Sequence, residues 1–302
     1  MRVLVTGGAG FVGSHVCDRF LDNGDQVVTI DDLSTGRREN VPAGALLEVV
    51  DIVDAAAVER VVETFEPVLV CHLAAQASVT VSVRDPERDL DVNVRGTFNI
   101  LAAARRVGAR VLFASTGGAL YGDEAPLPTT EDDVSPQPLA PYGASKLAAE
   151  AYVGTWSRLH GVPHTVLRLG NVYGPRQTPH GEAGVVAIFS DRLLREERPT
   201  VYGDGLQTRD YIHVTDVATA FQIAGERGGG TYNVGCERER TVLELLDVLQ
   251  RAAGTSLEPR WEPLRAGELK RSALDCSRLK GLGWKPSVEF EEGLAATLAT
   301  YR

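Results

Sequence analysis

No run of this sequence is apolar for the roughly 20 residues that a helix needs to cross a bilayer. Cysteine is scarce. Cys17, Cys71, Cys236 and Cys276 are scattered, with no C-x-x-C pair and no His/Cys cluster at metal-ligand spacing. That excludes a disulfide framework and a zinc site as organising features, and free buried thiols in a reducing compartment are the natural reading. Basic charge is in deficit, with 31 Lys and Arg against 41 Asp and Glu and a formal net charge of −10. A nucleic acid or an anionic membrane surface is therefore an unsuitable partner, and any anion must be held by locally placed arginines. There is no basic leader with a cleavage site, no internal repeat and no low-complexity tract, so a cytoplasmic protein is expected. What remains is an ordinary globular composition, 43% hydrophobic and 24% charged over 302 residues. That length suits one large domain or two sharing a core.

Short β-branched runs alternate with helical patterns through the first 170 residues. RVLVT (2–6), QVVTI (26–30), LLEVV (46–50), VLVCH (68–72), RVLFA (110–114) and HTVLRL (164–169) read as strands. Periodic segments at 10–23, 54–65, 85–107 and 142–160 read as helices. Uniformly apolar strands between helices predict a parallel sheet covered on both faces. The fold class is α/β, a Rossmann-type doubly wound sheet whose ligand lies beyond the strand carboxyl ends. After residue 170 Gly- and Pro-containing stretches interrupt helices at 184–196, 241–253 and 290–301. The expected division is a dinucleotide-binding domain over 1–172 and a smaller substrate domain over 173–302, with 212–235 returning to the first sheet.

The first strand runs straight into GGAGFVG, with glycines at 7, 10 and 13 ahead of a helix. Glycine permits a tight turn and lets backbone N–H groups approach a pyrophosphate at the helix N-terminus. The spacing is G-x-x-G-x-x-G, and a glycine-rich turn alone can be purely structural. The second strand ends at Asp31, 18 residues beyond Gly13, where a carboxylate would accept hydrogen bonds from a ribose. A 2′-phosphate would be repelled there, which favours NAD over NADP. Arg37 and Arg38 follow closely, either as phosphate ligands or as a solvated charge pair.

PYGASK (141–146) places Tyr142 and Lys146 four apart, one helical turn. A half-buried tyrosine beside a solvated lysine is a common enough pair. The sharper alternative is a lysine tuning a phenol, since a cation within ~4–6 Å favours the phenolate.

Taken together, GGAGFVG, HLAAQ (72–76), STGGALYG (115–122) and PYGASK resemble the extended short-chain dehydrogenase/reductase family. RDYIHVTDVA (209–218) and RAGELKRSALD (265–275) extend the likeness to the UDP-galactose 4-epimerases within it. The resemblance implies a 4-epimerase for UDP-glucose and UDP-galactose that works through a 4-keto sugar on tightly held NAD. Tyr142 would be the base, Lys146 its tuner, and Thr116 the hydroxyl bridging substrate and Tyr142, with Ser115 as the alternative hydroxyl or a neighbour of the nicotinamide. A UDP-glucuronate epimerase or decarboxylase is the alternative reading.

The carry-over to the cofactor begins with Gly7, Gly10, Phe11, Val12 and Gly13 in the glycine turn. Asp31, Asp32, Ser34, Thr35 and Gly36 follow the second strand. Asp51, Ile52, Asn93 and Leu169 are further contacts, as are Leu73, Ala74, Ala75 and Gln76 after the fourth strand. Ser115, Tyr142 and Lys146 complete the set. For the substrate it implies Ser78, Thr116, Tyr142 and Asn171, then Val185, Val186 and Tyr202 around the base. Arg209 and Arg265 would hold the diphosphate and Glu268 the uridine ribose. Ser272 would face the C2 substituent, where a small residue admits an N-acetyl group. The alanine-rich faces of 85–107 and 142–160 would pair across a two-fold axis in a homodimer. His72 and His213 lie in apolar runs and read as structural.

Overall fold

The computed structural model describes residues 1–132, 136–179, 184–264 and 269–302. The first half alternates β1 (Arg2–Thr6), α1 (Phe11–Asp22), β2 (Gln26–Asp31), β3 (Ala45–Val49), α2 (Ala55–Phe65) and β4 (Leu69–His72). Three short helices follow, α3 (Val79–Arg84), α4 (Pro86–Leu90) and α5 (Thr97–Arg106), then β5 (Arg110–Thr116), α6 (Pro141–His160) and β6 (Thr165–Leu169). The second half holds β7 (Asn171–Tyr173), α7 (Val185–Leu194), β8 (Thr200–Tyr202), β9 (Thr208–Arg209), β10 (Tyr211–His213) and α8 (Val214–Arg227). It closes with β11 (Gly230–Val234), β12 (Arg240–Thr241), α9 (Val242–Ala253), β13 (Arg260–Glu262), α10 (Ser277–Gly281) and α11 (Phe290–Ala299).

Seven strands form one parallel sheet in the order β11-β6-β5-β4-β1-β2-β3. The doubly wound arrangement follows from the period of two along each strand. In β1, Val3 and Val5 enter the core beneath α1 and α8, whereas Leu4 enters the opposite core beneath α2, α5 and α6. Both faces of the central strands are covered, so β1, β4 and β5 are mostly apolar, whereas the edge strand β3 is largely exposed. A third core joins α7, α9 and α11 around Phe189, Leu193, Leu245, Leu249 and Leu294. Three two-stranded pairings, β7 with β10, β9 with β12 and β8 with β13, sit in this second half.

The segment expected as one helix over 85–107 is broken instead. Asp85 caps α4 by accepting from the Arg88 N–H at 3.1 Å, and Pro86 occupies its first turn, where a missing N–H costs nothing. A single π-helical turn, Asp91–Gly96, then separates α4 from α5. The extra residue in that turn carries Asn93 inward, where it is buried, a use to which π-bulges are often put.

Candidate active site

Every expected cofactor contact near the glycine turn falls at the carboxyl ends of β1, β2 and β4. Gly7 has φ +74°, and a Cβ on it would stand 2.7 Å from the Ala74 nitrogen. A Cβ on Gly13 would stand 2.1 Å from the Gly7 carbonyl oxygen. Side chains are thus excluded where backbone must close around a ligand, and Gly10 begins α1 with no side-chain cap on its N–H groups. Asp31 is buried; its Oδ2 accepts from the Ala9 N–H at 3.0 Å and its Oδ1 from the Leu33 N–H at 2.9 Å. Burial raises its carboxyl above the usual range, while those two N–H groups oppose the rise. Arg37 lies at the surface, 3.9 Å from Glu39, and Arg38 is exposed, so both stand as solvated charges. A bare N-terminal turn, glycines that cannot carry a side chain and a positioned carboxylate fit an NAD molecule.

Around this cradle Asp32 accepts from the Ser34 N–H and hydroxyl, ordering the exposed turn that includes Thr35 and Gly36. Asp51 accepts from the Val53 N–H at 2.9 Å. The Ile52 side chain is buried in the α2–α5 core against Gly96, which leaves its backbone to face a ligand. Leu73 and Ala74 donate their N–H groups to Thr6 Oγ1, and Gln76 and Asn93 bond each other through N–H, amide and carbonyl groups.

The chemistry-bearing side chains meet at the tip of β5. Tyr142, in the first turn of α6, lies near enough to Thr116 for that hydroxyl to act on the phenol. Ser115, expected near the nicotinamide, instead donates to Glu150 Oε1 at 2.5 Å. Strand parity explains the split: Val111, Phe113 and Ser115 face α6, where Glu150 lies two turns beyond Tyr142. Lys146 is buried between them, its ammonium donating to the Ala114 carbonyl at 2.9 Å and lying 4.7 Å from the centre of the Phe113 ring. Burial draws the lysine down to about 8, against the opposing charges of Asp89 and Glu150. The phenol moves opposite to the expectation from the Tyr/Lys spacing. Burial pushes it up to about 12; the Thr116 hydroxyl opposes this and the Asp89 charge adds to it. The lysine has spent its ammonium on a carbonyl.

Thr116 is followed by two glycines for steric reasons. A Cβ on Gly117 would stand 2.6 Å from Leu274 Cδ1, and one on Gly118 would stand 3.1 Å from Asn171 Oδ1. That Asn171 oxygen is buried and has no hydrogen-bond partner among the described residues. It is an acceptor turned toward the space beside Thr116.

Residues 3–235 match the NAD dependent epimerase/dehydratase family. The chain belongs to it. The UDP-glucose 4-epimerase of Mycolicibacterium smegmatis is 46% identical over all of this chain and 99% of its own. A Thermotoga maritima UDP-glucose 4-epimerase solved with UDP-glucose has a TM-score of 0.97 at 44% identity, over 100% of this chain and 98% of that one. A Thermus thermophilus UDP-glucose 4-epimerase solved with NAD has a TM-score of 0.94 at 46% identity, over 100% and 99%. The doubly wound sheet and the NAD dependence are therefore those of the epimerase/dehydratase family.

The expected substrate side of this family member is more dispersed. Arg209 donates to the Thr208 carbonyl at 2.8 Å and forms no ion pair with a carboxylate among the described residues. Tyr202 ends β8, half-buried. Val185 opens α7, but the Val186 side chain lies in the third core with Phe189 and Leu193, leaving only its backbone for a ligand. Ser78 caps α3 by accepting from the Val81 N–H at 3.0 Å. Ser272 is buried, and its neighbour Arg271 turns away to fork onto Glu239 at 2.8 and 2.5 Å. Arg265 and Glu268 lie outside the described residues. His72 is held at both ring nitrogens by Thr6 and Thr97 hydroxyls, and burial lowers it to about 3. His213 caps α8.

Two buried carboxylates escaped the sequence reading. Glu150 receives Arg168 through Nε and Nη2, at 2.7 Å for the shorter contact. Asp89 accepts from Gln76 Nε2 at 2.8 Å and from Asn93 Nδ2 at 3.1 Å. Each stands four residues from a predicted site residue, Lys146 and Asn93, and that helical spacing was the available signal.

Proposed function

We propose that this chain is an NAD-dependent 4-epimerase that interconverts UDP-glucose and UDP-galactose through a 4-keto sugar. The observation that carries the reading is the buried Lys146, anchored on the Ala114 carbonyl one helical turn from Tyr142, with the Thr116 hydroxyl beside the phenol, at the carboxyl end of a dinucleotide-binding sheet. Bound NAD would supply reversible hydride chemistry at the sugar C4 and a positive ring charge that lowers the phenol pKa toward neutral pH.

The rest is the work of the chain. Tyr142 Oη accepts the proton of the sugar 4-hydroxyl, with Thr116 orienting both, and returns it after the keto sugar has turned. Lys146, held by the Ala114 carbonyl, fixes the charge and the ribose beside the phenol. Asn171 Oδ1 accepts from the substrate. Arg209, with Arg265, takes the diphosphate, where a planar fork suits phosphate oxygens; Tyr202 and Val185 take the base, and Glu268 the ribose. Because Arg271 is engaged with Glu239 and Ser272 is small, the C2 region also admits N-acetylated UDP-hexosamines.

Helices α5 and α6 present an aromatic face, with Phe98 41% and Tyr152 42% exposed and both edge-on or tilted against Trp156. That face supports a two-fold homodimer. No described helix is long and apolar enough to cross a membrane, and four free thiols suit a reducing cytoplasm. The reading is tested on Tyr142→Phe. It should purify with NAD yet lose UDP-galactose turnover by roughly 10²-fold or more; normal turnover would overturn it.

A further inference from the structure

Asp89 is turned inward from a five-residue surface helix. Its neighbours Glu87, Arg88 and Leu90 are exposed, whereas Asp89 is 1% exposed. A buried carboxylate is costly unless it is bonded and opposed by positive charge. Oδ1 accepts from the Gln76 and Asn93 amides. Asn93 Nδ2 also donates to Ser145 Oγ at 3.0 Å, and Ser145 Oγ to the Tyr142 carbonyl at 3.0 Å. A continuous chain of hydrogen bonds therefore runs from α4 through the π-turn to the first turn of α6. We propose that Asp89 is a positioning residue for the reaction, the buried counter-charge of Lys146 and the bracket that fixes Gln76 and Asn93 against the Tyr142 turn. The proposal rests on the roles given above to Tyr142 and Lys146.

The groups facing Asp89 decide its sign. From α6 come Tyr142, Lys146 and Glu150, and Glu150 is already engaged by Arg168. His72 of β4, which feels the Lys146 charge, is neutral and doubly bonded. Arg84 of α3 and Asp85, Glu87 and Arg88 around α4 are exposed, and Asp91 pairs with Arg95 at the surface, 3.0 Å apart. Asp89 is thus the carboxylate left to balance Lys146 among the described residues. Its charge also raises the phenol, an influence Glu150 lacks.

Removing that charge lowers both groups together. In NAD-loaded Asp89→Asn, both limbs of the kcat–pH profile should move to lower pH by about one unit, with NAD content unchanged. Only four lysines are present, Lys146, Lys270, Lys280 and Lys285, so carbon-13 NMR of labelled lysine follows Lys146 directly. Its titration should fall by about one unit in Asp89→Asn and recover in Asp89→Glu. An unmoved Lys146 titration with only a lower kcat would overturn the proposal, leaving Asp89 a packing residue. Asp89→Ser repeats the measurement should the asparagine variant fail to fold. A wild-type chain inactive on UDP-galactose would instead count against the function proposed, because the lysine titration is read without turnover.

Discussion

A tyrosine at about 12 and a lysine at about 8 face each other across one helical turn, and burial is the largest cause of both values. Lys146 must be protonated to fix charge and ribose. Its value lies below the ordinary 10.5, so activity should fall as pH rises through about 8 rather than through 10. A steady-state profile on UDP-galactose checks this, and a plateau to pH 10 would contradict it. Ser272→Tyr should abolish turnover of UDP-N-acetylglucosamine while sparing UDP-glucose, since the added ring fills the C2 region by clash. A wild-type enzyme inert to the N-acetyl substrate would remove the basis for it. The Tyr/Lys pair, the glycines and Asp31 were legible in the sequence because motif spacing maps directly onto turns and strand ends. The hydroxyl choice was not. It depends on Ser115 facing a carboxylate that strand parity brings to it from α6, a contact across 35 residues.

Among the elements, β1 to β6 were read to within a residue or two because their β-branched and apolar runs are compact, even in the largely exposed β3; the short strands β7 to β10, β12 and β13 of the second half were not delimited. The stretch 85–107 was misread for a physical reason. Its alanine-rich end is a good helix, and the bend ahead of it is set by Asn93 reaching Gln76 and Ser145, which no local pattern reveals. The burial of the Val186 side chain was hidden in the same way, since its position at the head of α7 is local but its packing is not. The aromatic face of α5 and α6 belongs to this scale too. Tyr152→Glu would place a charge at its centre, where an interface core is depleted of charge. Light scattering should show the wild type as a dimer and this variant as a monomer at micromolar concentration. A monomeric wild type would refute the pairing.

For the molecule as a whole, the change from a regular strand–helix alternation to a looser second half is visible in the sequence, but the sheet is not confined to the first half. The edge of the sheet next to β6 is covered by β11, Gly230–Val234, which pairs in parallel from Thr165↔Gly230 to Leu169↔Val234. Between them the chain builds β7, α7 and β10 and lays α8 against α1. During synthesis the amino-terminal sheet therefore has no finished edge until the ribosome has passed residue 234. A nascent chain holding every residue of the glycine turn and the Tyr/Lys pair still exposes the N–H and C=O row of β6, a template for pairing with another chain. A fragment ending at Arg227 should accordingly aggregate, whereas one ending beyond Val234 should stay dispersed longer in a sedimentation assay of freshly translated chains. Equal behaviour of the two would mean that α8 alone shields the edge.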